Sequence, residues 1–61
     1  MTTYISVENE LSEQFEDVLN EFDFLDQVSQ VRERDFMTDY IFEDITEEEE
    51  ELLENLKNDL N

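Results

Sequence analysis

The sequence predicts a mainly α fold, a small bundle of three to four helices formed as a single domain over residues 1–61. Three observations predict it. The chain has 61 residues, and a domain of that size buries only ~60% of the surface its unfolded form exposes, so there is room for one marginal core. Val7, Leu11, Phe15, Val18 and Phe22 step by four, four, three and four, which makes one stripe on a helix. Thr46-Glu47-Glu48-Glu49 has the form of a capping box, with leucines following it at helical spacing.

The first helix is expected over residues 7–22. Ser6 precedes the stripe as an N-cap, and Glu8 and Glu10 lie in the first turns, where the positive end of the helix dipole favours them. The last helix is expected over residues 47–60. The Thr46 hydroxyl accepts from the amide three residues on, the Glu49 carboxylate reaches back to the Thr46 amide, and Leu52, Leu53, Leu56 and Leu60 share one face.

The middle divides. Phe24, Leu25, Val28 and Val31 make a short helical face, and Phe36, Met37, Tyr40 and Ile41 make another. At ~100° per residue the two faces point in nearly opposite directions, so a break is expected within Arg32-Glu33-Arg34-Asp35. Residues 36–45 read equally as a short helix or as a strand. In the strand reading Phe36, Tyr40 and Phe42 alternate with Met37, Ile41 and Ile45. The β-prone run Thr2-Thr3-Tyr4-Ile5 supplies an α+β alternative, a short N-terminal strand paired to residues 36–43.

Composition removes whole classes of function. Cys and His are absent, which excludes disulfides, zinc–thiolate or imidazole sites, and Ser–His–Asp or Cys catalysis. Gly is absent, so neither a P-loop nor a dinucleotide fingerprint exists here, and the EF-hand loop lacks the Gly it requires. No catalytic, cofactor-binding or metal residue is nominated, and a non-enzyme is expected: paired carboxylates do acid–base work only in a cleft that separates their pKa values. Three Lys+Arg cannot make a basic face for nucleic acid. No targeting segment is visible and no apolar run approaches the ~20 residues of a membrane span, so a soluble, cytoplasmic protein is expected.

The dominant fact is charge, with 20 Asp+Glu against 3 Lys+Arg for a net −17. High charge with low mean hydropathy, here −0.72, is the usual signature of disorder. The patterning of the apolar residues, five Phe and two Tyr among them, argues for a fold instead. By default Phe15, Phe22, Phe24, Phe36, Phe42 and the leucines form its core. A functional reading exposes Tyr4, Tyr40 or Phe42 as apolar anchors of a partner interface.

The acids are spread over the whole chain rather than gathered in a tail. On the first helix Glu10, Glu13, Asp17 and Glu21 form a row on one flank, with Glu16 on the exposed back. On the last helix Glu47, Glu50, Glu51 and Glu54 form a row opposite the leucines. Such carboxylates recur every ~4.5–6 Å along a helix axis, against a phosphate every ~3.4 Å along a DNA strand. Self-repulsion destabilises a compact state, and Glu–Lys pairs at i,i+4 would have relieved it.

In size, net charge and acid rows the chain resembles a functional class, the small, acidic, Cys-free DNA-mimic inhibitors of phages and mobile elements. The resemblance covers the whole chain without a diagnostic motif. It implies a helical phage protein of host takeover that acts in the host cytoplasm. Such a protein occupies the DNA-binding groove of a basic host protein of nuclease, restriction, CRISPR, repair or topoisomerase/gyrase type. Two rival expectations stand beside it. One is an acidic adaptor or activation segment that folds on a protein partner through its Phe and Leu residues, for which 21–26 and 39–44 have the composition. The other is a small homo-oligomeric structural or antitoxin-like protein.

Overall fold

The N-terminal run Thr2-Thr3-Tyr4-Ile5-Ser6-Val7 places β-branched Thr3, Ile5 and Val7 at every second position. That is the period of a half-buried strand. In the computed structural model, which describes residues 2–60, this run forms strand β1 (Thr2–Glu8). A 3-10 turn (Asn9–Leu11) leads into helix α1 (Ser12–Glu21). A second 3-10 turn (Leu25–Gln27) precedes strands β2 (Val28–Glu33) and β3 (Met37–Glu43), and helix α2 (Glu47–Asn58) closes the described chain. The strands make one antiparallel sheet in the order β1-β3-β2. The architecture is therefore α+β, two helices packed on one face of a three-stranded sheet, and not the expected bundle of three to four helices.

The N-terminal strand does pair with residues 37–43, with Thr3 opposite Phe42, Ile5 opposite Tyr40 and Val7 opposite Thr38. Directly opposed residues share a face. Thr3, Ile5, Val7, Thr38, Tyr40 and Phe42 thus form the buried face. From the helical layer Phe15, Leu19 and Leu53 meet them, with Phe24 and Ile45 from the connections. Val28, Leu56 and Leu60 pack at the margin.

Three expectations fail here for identifiable reasons. Val7 fits a four-residue step to Leu11, yet it ends the alternating run and lies in β1; the helix starts only at Ser12. Ser6 accordingly caps nothing; its hydroxyl donates to Asp39 Oδ1 at 2.6 Å. The stripe that α1 buries is Phe15 and Leu19, while Phe22 is left 48% exposed. In the middle segment, Val28 pairs with Phe42 and Val31 with Tyr40, and a register shift lies between Val28 and Gln30. The bulge puts two residues three apart on one strand face, which is the spacing of a helix. Hence 24–31 reads as helical and folds as a turn and a strand.

Both helix ends follow from local chemistry without glycine. At the start of α2 the capping box forms: Glu49 N–H donates to Thr46 Oγ1 at 3.2 Å, and Thr46 N–H donates to Glu49 Oε1 at 3.0 Å. Of the leucines that follow, Leu53 is fully buried and Leu52 is 36% exposed. At the end of α1 Asp23 takes φ 62°, the left-handed conformation usually given to glycine. The Phe24 amide donates to the Leu19 carbonyl (2.8 Å) and the Asp23 amide to the Asn20 carbonyl (3.3 Å). These are the two bonds of a Schellman ending, and the buried Leu19 and Phe24 provide its apolar contact. No helix among the described residues is long and apolar enough to cross a membrane.

Two outcomes follow from this packing. Leu53→Ala costs about 2–5 kcal/mol, a large share of the ~0.05–0.15 kcal/mol per residue that holds a small domain folded. Far-UV circular dichroism at room temperature should show that variant largely unfolded and Leu52→Ala native. Asp23→Gly removes both a left-handed non-glycine residue and an acid at a helix C-terminus, gaining roughly 1 kcal/mol. A thermal melt should show its midpoint raised by roughly 4–8 °C.

Candidate acidic recognition surface

Phe15 and Leu19 fix the rotation of α1 by facing the sheet. At ~100° per residue Glu13 and Asp17 then point away from the core, with Glu21 beside them; Glu10, expected on the helix, lies instead in the 3-10 turn before it. All four are exposed. The row expected on the flank is therefore the outward ridge. Glu16, expected on the exposed back, sits instead on the flank beside the sheet. Its Oε2 accepts from the Tyr40 hydroxyl at 2.7 Å.

Leu53 sets α2 in the same way. Glu47, Glu51 and Glu54 fall on one exposed side, and Glu50 leans toward β1, where its carboxylate accepts from Thr3 Oγ1 at 3.1 Å. These four, with Thr2 and Asn55, line one open depression of about 600 Å³. The sequence rows are thus real surfaces, one along the back of α1 and one along the side of α2, and the two helices pack beside each other. Among the described residues no cluster of acids is arranged to hold a metal ion.

The opposite face of the sheet differs in charge. Pairing places Tyr4 beside Ile41, Ser6 beside Asp39, and Arg32 beside Asp39 from the other side. Arg34 Nη2 meets Asp39 Oδ1 at 2.9 Å, the one ion pair among the described residues. The Ser6 hydroxyl and then the Arg34 guanidinium hold the Asp39 carboxyl below its ordinary range, against the opposing effect of burial. Arg34 thus contacts this carboxylate and Arg32 lies beside it in register, away from the helical layer. The Glu54–Lys57 pairing open to the sequence does not form among the described residues.

Two of the three expected anchors are core residues. Phe42 is fully buried, and so is Tyr40, whose ring packs on Phe15 with centroids 5.0 Å apart and an interplanar angle of 59°. Tyr40 was open to exposure in the sequence because it lies in an acidic–aromatic run, but alternation turns its side chain inward. Tyr4 is 60% exposed, on the open sheet face. Sequence reasoning missed Phe36, assigned to the core and found 82% exposed in the β2–β3 turn. A signal for it existed: Phe36 directly follows the charged run where the break is expected, and turn positions lie at the surface.

Burial pushes the Tyr40 hydroxyl above the ordinary tyrosine range, and its bond to the Glu16 carboxylate pushes it further the same way. The neutral phenol is thus favoured in the folded state. It adds stability that is complete below the unfolded-state value near ~10 and is lost as pH rises past it. In a Tyr4→Phe variant the remaining phenolate absorbance should appear only well above pH ~10, together with loss of the far-UV signal. Ionisation at the ordinary value with the fold intact would contradict the buried Tyr40–Glu16 bond.

No protein-family model matches this chain, and neither a curated protein nor a solved structure matches it.

Proposed function

We propose that this protein is a DNA-mimic inhibitor. Its helical layer presents carboxylates in place of phosphates, occupies the DNA-binding groove of a basic host protein in the cytoplasm, and blocks DNA competitively. One observation carries the reading. Among the described residues no carboxylate of α1 or α2 is ion-paired, Lys57 is the one cation on these two helices, and both arginines belong to β2 and the turn after it, where Arg34 pairs with Asp39 on the other face of the sheet. The field of the helical layer is therefore strongly negative.

The parts divide the work. Glu13, Asp17 and Glu21 supply the ridge along α1 with Glu10 in the turn before it, and Glu47, Glu51 and Glu54 the row along α2. Glu16 and Glu50 border these rows, their carboxylates accepting from Tyr40 and Thr3. A field of one sign steers a basic partner to the surface and accelerates encounter. The alternative is an acidic adaptor that engages a partner through its Phe and Leu residues: Phe15, Leu19, Phe24, Phe42 and Leu53 are enclosed in the protein's own core, which leaves Phe22, Leu25, Phe36 and Leu52 for that role.

The test is capture of basic proteins on the immobilised protein, with DNA as competitor. DNA should displace the bound target, and raising salt from about 50 to about 200 mM should weaken binding roughly tenfold or more, because ion pairs with a cationic groove are screened. The quadruple variant Glu13→Gln, Asp17→Asn, Glu51→Gln, Glu54→Gln should lose a comparable factor with an unchanged circular dichroism spectrum. Binding that ignores both salt and DNA overturns the proposal.

A further inference from the structure

Where β1 ends, the chain turns beside the β2–β3 connection, and one side chain locks the two together. The Asn9 side-chain amide donates to the Arg34 carbonyl (2.9 Å) and the Asp35 carbonyl (3.1 Å). Its backbone amide donates to the Phe36 carbonyl (3.0 Å), and its Oδ1 accepts from Thr38 Oγ1 (2.7 Å). Asn9 thereby fixes the three-residue connection that carries Phe36. Between the two turns lies an open, mostly apolar notch of about 470 Å³, lined by Glu8, Asn9, Glu10, Asp35, Phe36 and Met37.

Phe36 is the most exposed large apolar residue described, at 82%. Water-exposed phenylalanine forgoes the gain of burial, yet here the backbone beneath it is held by three hydrogen bonds from Asn9. Glu8, Glu10 and Asp35 rim the notch, all exposed. Among the described residues none of these three acids is ion-paired; Arg34, which lines the adjoining hollow with Asp35, Phe36 and Met37, pairs with Asp39. The notch thus offers a fixed aromatic face with a negative rim.

From this geometry we infer that the notch is a docking site for an arginine side chain of a protein partner. Charge complementarity selects a cation. The apolar floor selects an organic cation over a hydrated metal ion, which would gain nothing from the ring. Arginine fits better than lysine, because its planar guanidinium lies over an aromatic face while its forked donors reach carboxylates beside it. Its aliphatic stem would cover Met37. This inference goes beyond the mimicry reading and does not depend on it, since the notch lies at the turns and needs no DNA-binding groove.

The test follows backbone amide shifts of the isotopically labelled protein during titration with the capped tripeptides Gly-Arg-Gly and Gly-Lys-Gly at low salt. The arginine peptide should shift Glu8, Asn9, Glu10, Asp35, Phe36 and Met37 first and bind more tightly than the lysine peptide. Phe36→Ala, which removes an exposed ring and should keep the fold, should weaken the arginine peptide by about 3- to 10-fold, as loss of a cation–π contact implies. Phe36→Tyr should restore it. Equal binding of both peptides, unchanged by Phe36→Ala, or shifts confined to α1 and α2, would overturn the inference. Neither peptide tests DNA competition, so failure here leaves the mimicry reading standing, and the reverse also holds.

Discussion

Strand β3 is hydrogen-bonded on both sides, to β1 along its whole length and to β2 across a bulge. Its inner face supplies Tyr40 and Phe42, two of the largest fully buried side chains. The rest of the core gathers in one cluster with these two residues. Phe15 stacks on Tyr40, Glu16 and the Ser12 carbonyl accept from its hydroxyl, and Ile5 lies directly opposite it in β1. A short chain of net −17 must close its core with few apolar residues. Gathering the bulky ones on a central strand lets two amphipathic helices cover them with one face each and turn their acids to solvent. The position of the carboxylates is thus a consequence of where β3 puts the apolar mass.

That dependence also explains how much of the structure can be read from the chain. The Thr46–Glu49 box is legible because it is local: four consecutive residues contain all its donors and acceptors. The acids of α1 are legible as a row but not in rotation. The stripe Phe15, Val18 and Phe22 puts the row on a flank, whereas the helix buries Phe15 and Leu19, which turns the row outward and Glu16 to the flank. The sheet is poorly legible because strand pairing is non-local and the signals that precede it are ambiguous. Val28 and Val31 owe their helical spacing to a bulge, which exists only once β2 is aligned on β3. Val7 belongs to two periodicities at once, and the β-branched run before it decides the matter. Residues 36–45 carry both patterns, and pairing with β1 selects the strand. Nothing local marks Asn9, whose four bonds join turns more than 20 residues apart in sequence.

The absence of glycine has a structural consequence that composition alone does not reveal. Among the described residues two backbone positions take a left-handed conformation, and aspartates fill both, Asp23 at φ 62° and Asp44 at φ 58°. Aspartate tolerates that region better than most residues because its short polar side chain bonds locally. The same residue type thus serves turns and surface alike. The acidic composition extends into the scaffold and is not confined to the helical layer.

Charge links folding to binding. Compactness brings the carboxylates of α1 and α2 together, and their mutual repulsion opposes the small core that holds them. A basic partner lying on the helical layer relieves that repulsion, so it binds the folded state in preference to the unfolded one and stabilises it by mass action. Under the proposed mimicry, the energy that folding loses to repulsion returns as part of the affinity. Adding lysines to form ion pairs on the helices would therefore stabilise the free protein while weakening its hold on a cationic groove. On this argument the bare helical layer is the working part, and the apolar inner face of β3 is what makes so unfavourable a surface sustainable.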